Sequence, residues 1–381
     1  MLERRAVRKW ERELYKNRDD EILVGFLRKQ RFEGDLLTAE RDWVQLQPLL
    51  NARGYTLRSR FHADWTPSWH RLINICKKPH HCSDFVGPIT YHVVDAKRRT
   101  GQLDVAIKRC RLTEPFNELK ACRVFQREDV AKDERNHCIR MLDVVYLESE
   151  PHLEALLVFP NLFPYNIGGF EVLDEALDFF SQMFEGLEFM HEHHVAHRDI
   201  CERNTMMYAP DLFHRAVHPA KPGYEATRPS RSVTYTPRRF IRCRYYYIDF
   251  GHATSFEDLA DRRPVLSGRG QYRDAPEYDG TPCDGFKLDV WCLGYLVQDD
   301  FFQKYRPTPM RFMKPLVDRM LQNDPSERPS AAEANSALRD LIATLTPEER
   351  STAISVNYYA MDDDGGKNVR PPKPWNAPLF E

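Results

Sequence analysis

Residues 197–204 read His-Arg-Asp-Ile-Cys-Glu-Arg-Asn, and no other stretch narrows what this chain can fold into as much. They follow residues 172–192, whose apolar spacing predicts a long amphipathic helix ending in FMHEHHVA. Asp199 and Asn204 stand five positions apart. Phosphoryl transfer needs that pair: a carboxylate to receive or orient the proton of the accepting hydroxyl, and an amide oxygen nearby to help hold a metal ion.

Five further strings fall in order around it. Residues 105–108 read VAIK on a predicted strand, placing Lys108 where an ammonium could meet phosphates. Asp249-Phe250-Gly251 follows the aromatic strand YYYI, and a carboxylate at a strand end can chelate Mg²⁺. Ala275-Pro276-Glu277 comes next, with Glu277 28 residues beyond Asp249. The last two are LDVWCLG, carrying Asp289 and Trp291, and DPSERPSA, carrying Arg328. Any one tripeptide is weak; six ordered matches over about 220 residues are specific.

On these motifs the chain resembles the eukaryotic protein kinases from about residue 85 to 343. The resemblance implies an α+β, two-lobed protein kinase-like fold, with a small β-rich N-lobe at about 85–160 and a larger α-helical C-lobe at about 161–343. It implies ATP and Mg²⁺ as cofactors. Asp199 would be the catalytic base, Asn204 and Asp249 the metal ligands, Lys108 the phosphate contact, and Arg198 the anchor of the activation segment. Ala106 would touch adenine, and Phe159 lies in the hinge 157–162. His197 and Phe250 would stack, and Glu277 and Arg328 would form a buried ion pair. The same pattern accounts for His191 and His197, which otherwise suggest a zinc site with His193 and His194. The WTPSW segment and Asn136-His137-Cys138 resemble kinase-like proteins of mushroom-forming fungi.

The departures are as informative. Before Lys108 the family carries G-x-G-x-x-G, because glycine lets backbone approach phosphate. Here DFVGPITYHVVDA offers Gly87 alone. The acidic partner of Lys108 is either Glu118, which opens the helical pattern ELKACRVF, or Glu128, in the polar run REDVAKDER; the pattern favours Glu118. Cys201 and Gly270 replace the Lys and Thr usual in Ser/Thr kinases, and Arg203 resembles the Tyr-kinase loop. A Ser/Thr hydroxyl is favoured over Tyr. In the activation segment, 252–274, Thr254, Ser255, Ser267 and Tyr272 are acceptors, and Glu257, Asp258 or Asp261 are expected to meet Arg198. The complete catalytic set favours an active protein kinase; the missing glycines favour a pseudokinase scaffold; phosphorylation of a small molecule is a third reading.

Outside the motifs, residues 1–84 read as a helical extension and linker, with HADWTPSWH packing as an anchor, and 344–381 as a tail, partly extended or disordered. Strands are expected at 88–95, 104–109, 141–147 and 154–159, a short helix at 114–127, and longer helices at 287–299, 310–322 and 331–344. Residues 211–246 form an insert with eight Lys/Arg against two Asp/Glu, read as a solvated loop or as a basic dock for an acidic partner. The whole chain balances 55 Lys/Arg against 57 Asp/Glu, a net charge of −2, which points away from nucleic acid and from membrane surfaces. Nine scattered Cys fit free thiols, and Cys76, His80, His81 and Cys82 lack zinc spacing. With no apolar leader or span in sight, the expected setting is the cytoplasm, with the nucleus also open, and the expected partner is a protein substrate.

Overall fold

The computed structural model describes residues 35–71, 73, 77–113, 118–147, 153–266, 270–272, 274–305 and 308–354. The expected helices before residue 35, Cys76, Ser267 and the 361–381 tail lie outside them. The chain is mixed α/β. It divides into two compact units: Met1–Val105 with Val217–Ser232, and Ala106–Ala216 with Val233–Glu381. No helix among the described residues is long and apolar enough to cross a membrane.

In the first unit the helix Thr38–Ala52 buries Trp43 and Leu50. Glu40, in its first turn, accepts from the Leu37 amide at 2.9 Å, satisfying an orphan N–H. Glu40 also receives Arg60 on both oxygens, Nε at 2.9 Å and Nη2 at 2.8 Å, with neither side chain reaching solvent. Gly54, at φ 89°, turns the chain into the strand Tyr55–Leu57, which pairs antiparallel with Val93–Arg98. The strand expected at 88–95 therefore starts later. Thr90 and Val93 close a tight turn by exchanging backbone bonds of 3.1 and 3.3 Å, and Pro88 before them has no N–H for a ladder. Trp69 is buried edge-on against Trp65 and Phe85, as the anchor reading requires.

Arg58 ties this unit together. Its guanidinium grips Asp95 at 2.6 and 2.9 Å and donates to the carbonyls of Val86 at 2.8 Å and Gly87 at 2.6 Å. The lone glycine before Lys108 is thus held by an arginine. Part of the insert belongs here too. Val217–His218 pairs with Lys221–Glu225, and His218 is wholly buried, with Nε2 3.2 Å from the Ser83 carbonyl. A solvated loop does not describe this segment.

In the second unit Asp143–Tyr146 and Glu154–Pro160 are antiparallel, with Val145 opposite Leu156. The helix Leu173–Glu192 buries one continuous apolar face from Leu173 to Met190. Ala331–Ala343 starts at a capping box in which Ser330 and Glu333 satisfy each other's amides. Gly285–Leu296, capped by Asp284, is apolar nearly all round and correspondingly buried, then widens into a π-helix over Val297–Phe302. The helix expected at 310–322 opens instead as a 3-10 turn, Thr308–Met313, with α-helix at Lys314–Met320. Pro315 explains the break, since proline is tolerated only in the first turn of an α-helix. The expected helix at 114–127 is described over Glu118–Val124, and the polar run after it contains a short helix, Glu128–Ala131.

Three of the insert's eight basic residues, Arg238, Arg239 and Arg244, are engaged within the second unit. Arg238 is buried over the Phe170 ring at 4.2 Å, donating to the carbonyls of Gly169, Tyr165 and Ile167 at 2.6–2.7 Å and to the Tyr245 hydroxyl at 2.8 Å. Arg239 pairs with Glu171 and Glu175, and Arg244 donates to the Glu134 carbonyl.

Candidate active site

The site lies within the second unit and is built from four chain segments. The first is the strand carrying VAIK. Val105 and Ile107 point into the core and are fully buried, so the alternation of the strand turns Lys108 the other way. Lys108 Nζ sits 2.5 Å from Glu118 Oε2 and 2.7 Å from Asp249 Oδ1. Burial by itself would lower the lysine pKa. The two carboxylates outweigh it and hold Lys108 protonated well above the ordinary range. Asp249 goes the opposite way: burial opposes its charge, Lys108 more than offsets that, and its carboxyl falls below the usual value.

Of the two candidate partners, Glu118 is the one at Lys108. It begins the Glu118–Val124 helix and is buried, receiving the Cys110 thiol at 3.3 Å as well. Glu128 is exposed and pairs with Lys132 one turn on.

The 197–204 segment is fixed from beneath by Asp289. This fully buried carboxylate, on the Gly285–Leu296 helix, accepts the amides of His197 at 2.7 Å and Arg198 at 2.6 Å, and faces His191 Nε2 at 3.0 Å. Those bonds hold Arg198 at φ 66°, a left-handed conformation that side-chain-bearing residues adopt only at a cost of ~1–3 kcal/mol. The strand-end residue Asp249 is likewise left-handed, at φ 62°. His197 has one consistent neutral tautomer: Nε2–H donates to the Ile248 carbonyl at 2.9 Å and Nδ1 accepts from the Asp199 amide at 3.3 Å. Its ring packs on Phe250 at 4.8 Å, and Phe250 on Phe125 at 5.4 Å.

Asp199 is buried, and both its oxygens are engaged. Asn204 Nδ2 donates to Oδ2 at 2.9 Å and to the Asp199 carbonyl at 2.8 Å. The backbone amide of Gln271 donates to Oδ1 at 2.8 Å. Burial raises the carboxyl pKa, and the Gln271 bond works against that rise. Cys201, two residues on, is buried as a neutral thiol pushed up to about 12.

A hard cation takes oxygen ligands, and Mg²⁺ bound with phosphates needs only one or two carboxylates from the protein. Asp249 keeps a partly exposed carboxylate, and the Asn204 amide, with its nitrogen committed to Asp199, has its oxygen left for a ligand. No group of three His, Cys, Asp or Glu suited to holding a metal by itself occurs among the described residues. Ala106 is half-buried on the same strand as Lys108, and Phe159 is buried on Glu154–Pro160.

Arg198 departs from expectation. Its guanidinium bonds the Thr254 hydroxyl and, at 2.6 Å, the Leu266 carbonyl, and its buried Nε has no hydrogen-bond partner. It meets none of Glu257, Asp258 or Asp261, because a hydroxyl and a carbonyl on the paired strands of the segment reach it first. Glu277 and Arg328 are in direct contact and buried, with Arg328 also bonded to the carbonyls of Lys287 and Gln322. Sequence reading missed the Gln271 amide, which no side chain announces, and the clamp made by Asp289, which the LDVWCLG string flagged without revealing its role.

No family model matches the chain. A curated protein of Trypanosoma brucei brucei named "Putative serine/threonine-protein kinase A" is 26% identical over 205 residues, covering 46% of this chain and 40% of its own length. The chain therefore spans well under half of that relative. The match supports a protein kinase-like relationship.

Proposed function

We propose that this chain is an ATP- and Mg²⁺-dependent protein kinase that transfers the γ-phosphoryl group to a protein hydroxyl, Ser or Thr before Tyr. The observation that carries the reading is the Lys108–Glu118–Asp249 ion-pair trio within the same unit as an Asp199 locked to Asn204. Lys108, permanently protonated, binds the phosphates; Glu118 aims it. Asp199 orients the accepting hydroxyl and takes its proton, the role a buried carboxylate with a raised pKa is suited to. Asp249 and Asn204 would hold Mg²⁺, which supplies neutralisation of the phosphate charge when bound.

The test is transfer of radiolabel from γ-labelled ATP to the protein itself and to casein, with Asp199→Asn as control. Label on the wild type and none on the variant supports the reading. A second reading, a nucleotide-binding pseudokinase, is favoured by the Arg58 grip on Gly87 in place of a glycine-rich loop. A rise in melting temperature with Mg²⁺-ATP but no label would select it.

A further inference from the structure

We infer that Gly270 and the Gln271 backbone amide are the positioning element of Asp199, performing with main chain what would otherwise need a side-chain donor. The inference rests on the kinase reading for its consequence but on geometry for its substance. Among the described residues, the hydrogen bonds to the Asp199 carboxylate come from two neutral N–H groups, Asn204 Nδ2 and Gln271 N. Cys201, next but one, is a neutral buried thiol and brings no charge. Orientation of the second oxygen therefore falls to the amide at 271.

That amide reaches Asp199 only because residue 270 lacks a side chain. A Cβ on Gly270 would fall 2.7 Å from Asp199 Oδ1 and collide with the Tyr278 hydroxyl, which donates to the Arg198 carbonyl at 3.2 Å. The glycine thus lets the activation segment lie directly on the catalytic carboxylate. Tyr272 pins the other side, its hydroxyl accepting the Glu202 amide at 3.2 Å and its ring packing on Tyr295 at 4.7 Å. A donor fixed at both flanks holds Asp199 in one rotamer.

Three substitutions separate amide from side chain. Gln271→Pro deletes the N–H, Gly270→Ala pushes it away, and Gln271→Ala keeps it. Measured on the full chain with γ-labelled ATP and casein, the first two are expected to lower kcat roughly ten- to hundred-fold with KM for ATP unchanged, and the third to leave both alone. An unmoved kcat in Gln271→Pro would overturn the inference, and so would a raised kcat, which would make the segment a plug. A readout independent of turnover guards against loss of fold or of activity. Amide exchange at Gln271 is expected to quicken roughly ten-fold or more in Asp199→Ala. Unchanged exchange would overturn the inference even in a chain that transfers no phosphate, whereas quickened exchange without transfer would leave it standing and remove the kinase reading alone.

Discussion

Two buried ion-pair systems of this protein use the same ingredients to opposite ends. In the first unit Arg60 and Glu40 are both sealed from solvent and joined by hydrogen bonds of 2.8–2.9 Å, with the Asp84 carbonyl and the Leu37 amide bonded to them as well. In the second, Lys108 faces two carboxylates, and one of them, Asp249, keeps 42% of its side chain exposed. The first is closed and can only hold the fold. The second keeps part of Asp249 exposed and carries a surplus negative charge, the feature on which the proposed Mg²⁺ site rests. What distinguishes the two clusters is the exposed carboxylate edge that the second retains and the first lacks.

Asp199→Asn, at the open site, should reduce phosphoryl transfer roughly 10²–10⁴-fold while leaving the melting temperature near wild type, read by γ-labelled ATP assay and thermal scan. Arg60→Ala, in the closed knot, should do the reverse. It strands Glu40 in the interior, so urea unfolding should show a loss of roughly 3–5 kcal/mol, with transfer per folded molecule preserved. Equal effects of both variants on both readouts would abolish the distinction.

A third test uses pH. His218 is held neutral: Ala220 N–H donates to Nδ1 at 3.3 Å, leaving Nε2–H for the Ser83 carbonyl. Burial first, then the Arg58 guanidinium, bring its pKa down from 6.5 to about 4. Folding is thus undiminished above pH 6.5, where the unfolded imidazole is also neutral. Stability should fall as pH drops from 6.5 toward 4, by on the order of 3 kcal/mol in total, and then level. Urea midpoints across that range should slope less in His218→Gln, whose amide can serve both partners; an identical slope would remove His218 as the cause.

Smaller effects sharpen the open site. Glu118→Gln should cut turnover roughly ten- to hundred-fold by slackening Lys108, with little change in melting. Glu128→Gln should do nothing measurable, since exposed pairs contribute roughly 0–1 kcal/mol and this one lies on Lys132. The reverse ranking would assign the wrong glutamate.

Lys108, Asp199, Asn204 and Asp249 stood out in the sequence because phosphoryl-transfer chemistry would demand those residue types at that spacing, and the structure brings Lys108 to Asp249 and Asn204 to Asp199. Glu118 was favoured over Glu128 because its helix carried an apolar stripe, and the structure puts Glu118 beside Lys108. The fold was readable where periodicity was strong, as in Leu173–Glu192, and less so where proline interrupted it at Pro88 and Pro315. The insert was hardest. Its basic composition suggested a solvated surface, whereas Arg238 is buried among carbonyls and aromatic rings, an arrangement only long-range contacts create. The destination of Arg198 also escaped, because carboxylates close in sequence are not the groups that the strand pairings bring near.

The contact of Gln271 with Asp199 has a consequence for how this protein can change over generations. Every amino acid except proline carries the same amide, so position 271 can drift through nearly the whole alphabet without disturbing the carboxylate. Its neighbour has no such freedom, because only hydrogen fits where a methyl group would strike Asp199. Descendants that preserve this arrangement would keep their record of it in the silent glycine, one place before the atom that makes the contact.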